Sequence, residues 1–512
     1  EYLHLLNDAY RGLHERHLVA LAKVMNIPMA EVYEVATFYH HFEVIRDGDV
    51  AADLTIRVCN GLSCELAGAN QLIEKLPQLL GNSKIKVISA PCVGRCEQAP
   101  VAVVHQNAVV HATAESVAAA VAKNQTWQAL PDYEDMDAYI ANGGYELLKQ
   151  IQSKAIEPEK IIQTMESSGL RGLGGAGFPA GRKWRIVREQ TAPRLMAVNI
   201  DEGEPGTFKD RTYLERDPHR FIEGMLIAAQ VVGIDAIYIY MRDEYHGCRQ
   251  LLEIELARLK ANPPCPLPLI ELRRGAGAYI CGEESAMIES IEGKRGEPRM
   301  RPPYIAQVGL FGRPTLEHNF ETLYWVRDIL QKGADWFSGF GRHGRKGLRS
   351  FSVSGRVKNP GVKLAPAGIT IEELINEYCG GMQEGHTFYA YLPGGASGGI
   401  LPASMKDIPL DFDTLQPYGC FIGSAAIIVL GHQDAARDAA LNMMRFFAHE
   451  SCGQCTPCRV GTTKAAQLMQ AKVWDNHTLE DLNQVMADAS ICGLGQAAPN
   501  PVRCVQKYFP FL

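Results

Sequence analysis

Eight of the fourteen cysteines fall into two sets whose spacing suits metal chemistry. Near the C-terminal end, Glu450-Ser-Cys-Gly-Gln-Cys-Thr-Pro-Cys-Arg459 carries Cys452, Cys455 and Cys458 at C-x2-C-x2-C spacing. Thiolates that close can turn inward around one compact cluster, and a cube of four irons needs a fourth ligand, for which Cys492 in Ser490-Ile-Cys-Gly is the best candidate. A structural zinc site uses the same ligands but usually arrives as two C-x2-C pairs. The second set is Cys59 and Cys64, then Cys92 and Cys96, each pair following a strand-like run. Two such pairs can converge on a 2Fe-2S cluster with four thiolate ligands. Zinc is again the alternative, although C-x4-C and C-x3-C suit it less well. Disulfides account poorly for cysteines this scattered in a chain with no secretory signal, and a reducing compartment suits it better.

Polar groups that could hold a nucleotide lie between these sets. Gly169-Leu-Arg-Gly-Leu-Gly-Gly-Ala-Gly-Phe-Pro-Ala-Gly-Arg-Lys-Trp184 contains G-x-G-x-x-G at Gly172, Gly174 and Gly177. A helical pattern (Pro158 to Ser168) precedes it rather than a strand, so the Rossmann context is missing. The physics survives: clustered glycines leave backbone N–H groups free to approach a phosphate or a flat ring, with Lys183 near to supply positive charge. The strand Leu195-Met-Ala-Val-Asn-Ile200 empties into Asp201-Glu-Gly-Glu-Pro-Gly-Thr-Phe-Lys-Asp210, whose carboxylates suit hydrogen bonds to ribose or flavin hydroxyls. A flexible surface loop and a solvated acidic turn are the plainer readings of these two stretches. Arg273-Arg-Gly-Ala-Gly-Ala-Tyr-Ile-Cys-Gly-Glu-Glu-Ser285 opens a helix with Glu283 and Glu284 at its N-terminus, where the dipole favours negative charge. The lone Cys281 there reads as packing.

The elements that must position these groups alternate in type. Residues 1–50 show apolar positions at helical spacing, as in His17-Leu-Val-Ala-Leu-Ala-Lys-Val-Met25, and read as a helical cap that begins inside a helical pattern, so residues upstream are expected. Residues 51–125 read as an α/β unit: strands Leu54–Val58 and Ile85–Ser89, a helix between them, a hairpin through 101–110 and an alanine-rich helix. Residues 126–150, with Trp127, Pro131 and Gly143-Gly144, carry no evident chemistry and read as a linker. Residues 151–340 alternate strand and helix, 341–432 form a small β-rich unit around the glycine loop Leu392-Pro-Gly-Gly-Ala-Ser-Gly-Gly-Ile400, and 433–512 form a helical bundle. The fold class is therefore α/β multidomain. Cys504 has no assignment beyond a spare thiol or a core residue.

Composition excludes several classes. A net charge of −7 without long Lys/Arg runs gives no reason to propose nucleic acid or an anionic membrane surface. The most apolar run, Phe421 to Leu430, is too short for a bilayer, which needs about 20 residues, so no direct membrane span is expected.

Residues 1 to about 125 resemble the thioredoxin-like 2Fe-2S ferredoxin subunit at the NADH-oxidising end of respiratory complex I. Gly275-Ala-Gly-Ala-Tyr-Ile-Cys-Gly-Glu-Glu284 together with Glu450-Ser-Cys-Gly-Gln-Cys-Thr-Pro-Cys-Arg459 resembles the flavin-bearing subunit of the same enzyme over residues 145 to 512. The resemblance implies a thioredoxin-like ferredoxin domain, a Rossmann-like FMN/NAD domain, a β-grasp (SLBB-like) domain and a C-terminal helical bundle with a 4Fe-4S cluster. It implies FMN held by Gly172, Gly174, Lys183, Asn199, Asp201, Glu202, Glu283 and Asn319, and NAD(H) held by Phe178, Glu204, Glu284, Arg301 and Tyr304, with Glu284 beside the adenosine ribose. Glu204 and Glu202 are the carboxylates expected to tune the flavin. Two departures stand out: His318 replaces the first of the paired asparagines that relatives carry, which puts that FMN contact in doubt, and Arg301 replaces a lysine before Pro302-Pro303, keeping charge but changing its shape.

The two halves, separate subunits in complex I, are fused here into an electron conduit: NAD(H) exchanges hydride with FMN, and the clusters carry single electrons. The runs Arg194-Leu-Met-Ala-Val-Asn and Leu392-Pro-Gly-Gly-Ala-Ser-Gly-Gly-Ile-Leu-Pro-Ala-Ser look most like the β subunit of cytoplasmic NAD-dependent formate dehydrogenase, whose catalytic subunit carries molybdenum or tungsten pterin and further iron–sulfur clusters. The diaphorase subunit of an NAD-reducing hydrogenase, or a complex I-like NADH dehydrogenase, is the alternative. A zinc-stabilised assembly module without redox chemistry is the reading from another class, which visible absorption would separate, since flavin and iron–sulfur clusters are coloured and zinc is not.

Overall fold

The computed structural model describes residues 1–509. Helices Tyr2–Tyr10, Glu15–Met25 and Met29–Phe38 form the N-terminal cap around Leu18, Ala22, Val32 and Ala36. A short parallel pairing of Leu13–His14 with Val44–Ile45 closes it.

The next unit is a four-stranded sheet in the order Ile85–Ala90, Leu54–Cys59, Ala102–Val104, Asn107–Val109. Its first two strands are parallel, and the last two form an antiparallel hairpin. Because Leu54–Cys59 and Ile85–Ala90 run the same way, their carboxyl ends, and the cysteine loops after them, emerge at one edge. The unit has its own small core around Ile56, Val58, Leu72, Leu76, Val104 and Val117.

Residues 126–150 differ from the expected linker. Helices Met136–Ala141 and Glu146–Gln152 pack Met136, Tyr139, Tyr145, Leu147 and Leu148 into the core of the unit that follows. The polar ends of the buried aromatics are satisfied there: Tyr139 donates to Glu223 (2.5 Å), and Tyr145 meets His219 Nδ1 (2.6 Å), whose Nε2 meets Glu255 (2.7 Å). A glycine pair and helices of six and seven residues hid this, because short helices carry few turns of apolar periodicity.

The central unit is a wholly parallel sheet ordered Thr315–Asn319, Arg194–Ile200, Ile234–Met241, Leu269–Arg274. Parallel sheets are covered on both faces and read as continuous apolar runs. Here Met196, Val198, Ile237 and Ile239 face one core, while Leu195, Ala197, Tyr238 and Tyr240 face another. Helix Pro218–Val232 lies on the first face, and Gly224 lets it close on Phe320–Tyr324, since a Cβ there would come within 1.9 Å of the Leu323 carbonyl.

A five-stranded mixed sheet follows, ordered Gly361–Pro366, Leu348–Gly355, Ala426–Gly431, Phe388–Leu392, Leu401–Pro402. The chain then ends in helices Ala436–Glu450, Thr456–Met469, Asn476–Ala489, Gly493–Ala497 and Pro499–Tyr508. The second of these helices, Thr456–Met469, has Cys455 at its N-cap and Cys458 in its first turn. No helix among the described residues is long and apolar enough to cross a membrane.

Candidate functional site

All four loops after the parallel strands open at one edge, the position where open α/β sheets bind ligands. These loops carry 201–210, 242–245, 275–283 and Asn319. The glycine-rich segment lies against them as a tight turn in which Gly172 N–H donates to the Phe178 carbonyl (2.8 Å). A Cβ on Gly174 would stand 3.0 Å from Asn319 Cβ, and one on Gly177, at φ +66°, would meet the Phe412 ring at 2.7 Å. A backbone surface of this kind is a cradle that any side chain would fill.

The charged groups behave differently from one another. Lys183 donates to the Glu317 carboxylate (2.9 Å); burial pulls its pKa down, but Glu317 and Glu284 outweigh burial and hold it above its ordinary value. Burial drives the Asp201 carboxyl well above the usual range, and its Oδ2 has no partner among the described residues, an acceptor suited to a ligand hydroxyl. Asn199 donates to the Gly282 carbonyl (2.9 Å), tying the first strand to the third loop.

Glu202, expected to contact FMN directly, is instead engaged inside the protein. Its carboxylate accepts from the N–H groups of Asp210 (2.9 Å) and Arg211 (3.3 Å) and from the Tyr245 hydroxyl (2.7 Å), so it caps the helix Lys209–Leu214. Asn319 is likewise committed, donating to Asp210 (2.7 Å) and accepting from Glu321 N–H (3.0 Å). Both residues shape the cleft by holding its loops rather than by offering free polar atoms. His318 lies on the opposite side of its strand, buried, with Nε2 accepting from Trp184 Nε1 (2.8 Å); burial and then Lys183 keep its pKa well below the ordinary value. The ring is part of the packing layer, so the departure at 318 removes no group from the cleft.

At the outer side, Glu283 caps helix Glu284–Ile291, accepting from Ser285 N–H (3.0 Å) and Ala286 N–H (2.9 Å), and also pairs with Arg301. Arg301 reaches Glu284 as well (3.0 Å). Burial raises the Glu284 pKa against the opposing pull of Lys183. Phe178 is 39% exposed and Tyr304 57%, so both rings are open to a ligand.

Glu204 shows what the sequence did not. Its carboxylate accepts from the N–H (2.8 Å) and hydroxyl (2.7 Å) of Ser397 and from the Tyr279 hydroxyl, and burial raises its pKa against those donors. Ser397 belongs to the glycine loop of the β-grasp sheet, and Gly395 allows the approach, since a Cβ there would stand 2.7 Å from Glu204 Cγ. The glycine loop was visible in the sequence, but nothing in its spacing says that it reaches across to residue 204.

The two cysteine sets flank this cleft. Cys59, Cys64, Cys92 and Cys96 are all buried, with Cys92 and Cys96 sulfurs 3.3 Å apart and Gly61 packed between Cys59 and Cys92. Cys452, Cys455, Cys458 and Cys492 line one small cavity walled by Ile280, Ile491 and Leu494. Burial pushes the Cys458 thiol up to about 11 and the Cys492 thiol to about 12, so a metal must displace their protons. Arg242 joins the first set to the cleft, donating to the Glu202 carbonyl (2.6 Å) and the Cys92 carbonyl (2.6 Å). Tyr279 joins the second, between Glu204 and the Glu450 carboxylate that accepts from its N–H (2.9 Å). Cys281 is packed against Gly296, and Cys504 lies 3.5 Å from Cys420, both away from these sets.

Residues 165–328 match the Nuo51 FMN-binding domain family, 438–511 the NADH-ubiquinone oxidoreductase-F iron-sulfur binding region, 1–125 the thioredoxin-like 2Fe-2S ferredoxin and 350–401 the SLBB domain. The mitochondrial NADH dehydrogenase (ubiquinone) flavoprotein 1 of Dictyostelium discoideum is 40% identical over 74% of this chain and 83% of its own length. The mitochondrial NADH-ubiquinone oxidoreductase 51 kDa subunit of Neurospora crassa is 40% identical over 68% of this chain and 75% of its own. The chain belongs to the family of these NADH-ubiquinone oxidoreductase flavoproteins. Its fold class, an α/β multidomain assembly with thioredoxin-like 2Fe-2S, FMN-binding, SLBB and iron–sulfur regions, is as the sequence led us to expect. As a member of that family it is an NAD-linked oxidoreductase chain that uses FMN, a 2Fe-2S and a 4Fe-4S cluster. The fused architecture has a counterpart among solved structures: an NAD+-reducing NiFe hydrogenase in the H2-reduced state superposes with TM-score 0.86 at 31% identity, covering 99% of this chain and 91% of that one.

Proposed function

We propose that this chain exchanges hydride between NAD(H) and FMN and relays the electrons, one at a time, to or from a partner subunit that oxidises formate. The observation that carries the electron-transfer reading is that polar links run from the cleft toward both cysteine sets: Arg242 to the Cys92 carbonyl on one side, and Tyr279 to Glu450, two residues before Cys452, on the other. In this reading Gly172 and Gly174 give the flavin phosphate and ring a backbone surface, Lys183 supplies positive charge, and Asp201 accepts from a ribityl hydroxyl. Phe178 and Tyr304 stack on the nicotinamide nucleotide, Glu284 accepts from its adenosine ribose, and Arg301 balances Glu283 and Glu284 until the nucleotide arrives. Cys59, Cys64, Cys92 and Cys96 ligate the 2Fe-2S cluster, and Cys452, Cys455, Cys458 and Cys492 the 4Fe-4S cluster. FMN, when bound, supplies the step from a two-electron hydride to single electrons. The protein's own part is placement: Ser397 and Tyr279 hold Glu204 at the cleft, and Glu202 fixes its floor.

Formate as the electron source rests on the residue runs at 194–199 and 392–404; the partner then carries molybdenum or tungsten pterin, and the complex works in the cytoplasm, where the fourteen cysteines, all free among the described residues, stay reduced. A hydrogen-oxidising partner is the second reading, favoured by the hydrogenase superposition over the whole fused chain. Metal analysis of the purified complex separates them: molybdenum or tungsten supports the first, and nickel overturns it. The isolated chain should reduce ferricyanide with NADH and leave formate untouched.

A further inference from the structure

We propose that His4, His41 and Asp243 form a binding site for a divalent cation of the zinc class, at the junction of the N-terminal cap and the flavin sheet. The three ligand atoms lie within 4.8 Å of one another. They come from three elements distant in sequence: helix Tyr2–Tyr10, the segment after helix Met29–Phe38, and the turn after strand Ile234–Met241. Asp243 belongs to the 242–245 loop at the cleft edge, but its carboxylate is turned to His41 and Arg274, and none of the three belongs to either cysteine set.

His4 makes the case. It is 5% exposed, and neither ring nitrogen has a hydrogen-bond partner among the described residues. Buried polar groups are nearly always paired, so an imidazole with both nitrogens bare calls for an unseen partner. An imidazole buried in this way stays neutral, the form that ligates metal. His41 Nδ1 sits 2.6 Å from Asp243 Oδ2, while its Nε2 lies 3.3 Å from Asn7 Nδ2; with the amide turned to present Oδ1, Asn7 would accept from Nε2–H and orient the ring as an outer hydrogen bond orients a metal-bound histidine. Asp243 is steadied through its other oxygen by Arg274 (2.5 Å). His246, buried and with an unpartnered Nδ1 among the described residues, lies outside the group of three, so the fourth position falls to water.

Distances and charge set what kind of site this is. Zinc holds nitrogen and oxygen ligands at about 2.0–2.1 Å, which spaces tetrahedral ligands about 3.4 Å apart. The His41–Asp243 pair opens by about 0.8 Å and His4 moves inward by up to about 1.4 Å to reach that spacing. Arg274 is shared with Asp8 (2.6 Å), and Arg57 donates to the His41 carbonyl (3.4 Å), so cationic groups surround the ligands. The site should therefore be exchangeable, with affinity in the micromolar range, rather than a permanent structural centre.

The test uses the full chain loaded with FMN and iron, equilibrated with zinc chloride, with zinc and iron counted together. We expect about one zinc per chain beyond the iron, with a zinc-edge X-ray absorption shell of nitrogen and oxygen near about 2.0 Å and no sulfur near about 2.3 Å. His4→Phe keeps the ring's shape and removes no existing hydrogen bond; it should weaken zinc binding at least tenfold with flavin and iron content unchanged. Asp243→Asn should do the same, and if that variant fails to fold, His4→Phe decides the matter alone. No saturable binding below about 100 µM, a sulfur shell, or undiminished binding in His4→Phe overturns the assignment.

Discussion

The two cysteine sets differ in what surrounds them. The N-terminal set hangs on two strand ends of a unit with its own core, and it meets the rest of the molecule through the Phe208 ring, packed with Cys92 and Cys96, and through polar contacts: Arg242 to the Cys92 carbonyl, Arg211 to the Gly94 carbonyl (2.9 Å) and to Glu97, and Ser63 to Ser354 (2.9 Å). The C-terminal set is built into helix ends, with Cys455 and Cys492 at N-caps, and Cys458 belongs to the same core as the β-grasp sheet. One site is docked and the other is woven in. Helix N-termini also place partial positive charge beside thiolates, which the second set uses and the strand-end loops of Cys59 and Cys92 lack.

The sharpest way to break this comparison is to remove one ligand from each set. Cys455→Ser should lose the four-iron signal in reduced-state electron paramagnetic resonance and loosen the C-terminal bundle to proteolysis, because metal binding there is partly folding free energy, on the order of 10 kcal/mol for structural zinc sites. Cys59→Ser should lose only the two-iron signal and leave the bundle protected. Equal loss of protection in both variants would erase the distinction.

Next in size is the dock itself. Arg242 is buried and binds two carbonyls and Glu244 (3.0 Å), so Arg242→Met should cost about 3–5 kcal/mol, the range for stranding partners of a buried ion pair. Ferricyanide reduction by NADH, read beside the rate of two-iron reduction, should show the second falling and the first persisting; a parallel fall would place Arg242 in the cleft.

The nucleotide side gives a smaller effect. Glu284→Ala should weaken NADH use about ten- to a hundredfold, as expected for a charge-assisted hydrogen bond of about 1.5–3 kcal/mol, while relieving the repulsion that excludes a 2′-phosphate. The kcat/KM ratio for NADH over NADPH measures both, and an unchanged ratio removes Glu284 from the site. Its raised pKa fixes the sign of the pH dependence. As pH falls, Glu284 protonates at a higher pH than an ordinary glutamate, whose pKa is about 4.3, so KM for NADH should climb early on the acid side, and Glu284→Gln should abolish that limb. In the free protein the same shift works oppositely: this group's contribution to stability is fully present below the unfolded pKa and is lost as pH rises through the folded one.

The smallest effect separates cleft from packing layer. His318→Asn, which restores the paired asparagines, should cost about 1–2 kcal/mol by leaving the Trp184 indole N–H without its acceptor, and should leave FMN affinity unchanged. Thermal unfolding and flavin titration check the two halves, and tighter FMN binding would return residue 318 to the cleft.

What the sequence determined by itself was local. Cysteine spacings at 59–64, 92–96 and 452–458, the glycine-rich segment at 169–184 and the apolar strand runs at 54–58, 85–89 and 195–200 are short-range patterns, and the three runs are strands in the structure. Helix existence was likewise legible where periodicity ran for several turns, and it failed at 136–152, where it did not. Only the tertiary structure decided the rest, because those facts are distances between residues far apart in the chain. Ser397 reaches Glu204 across 193 positions, Arg242 reaches Cys92 across 150, and His4 meets Asp243 from the far end of the first unit. The same holds for the fate of Glu202 and His318. Residue type marks each as a group that can bind a ligand, but which neighbours occupy its polar atoms is fixed by packing, and packing has no signature in spacing along the chain.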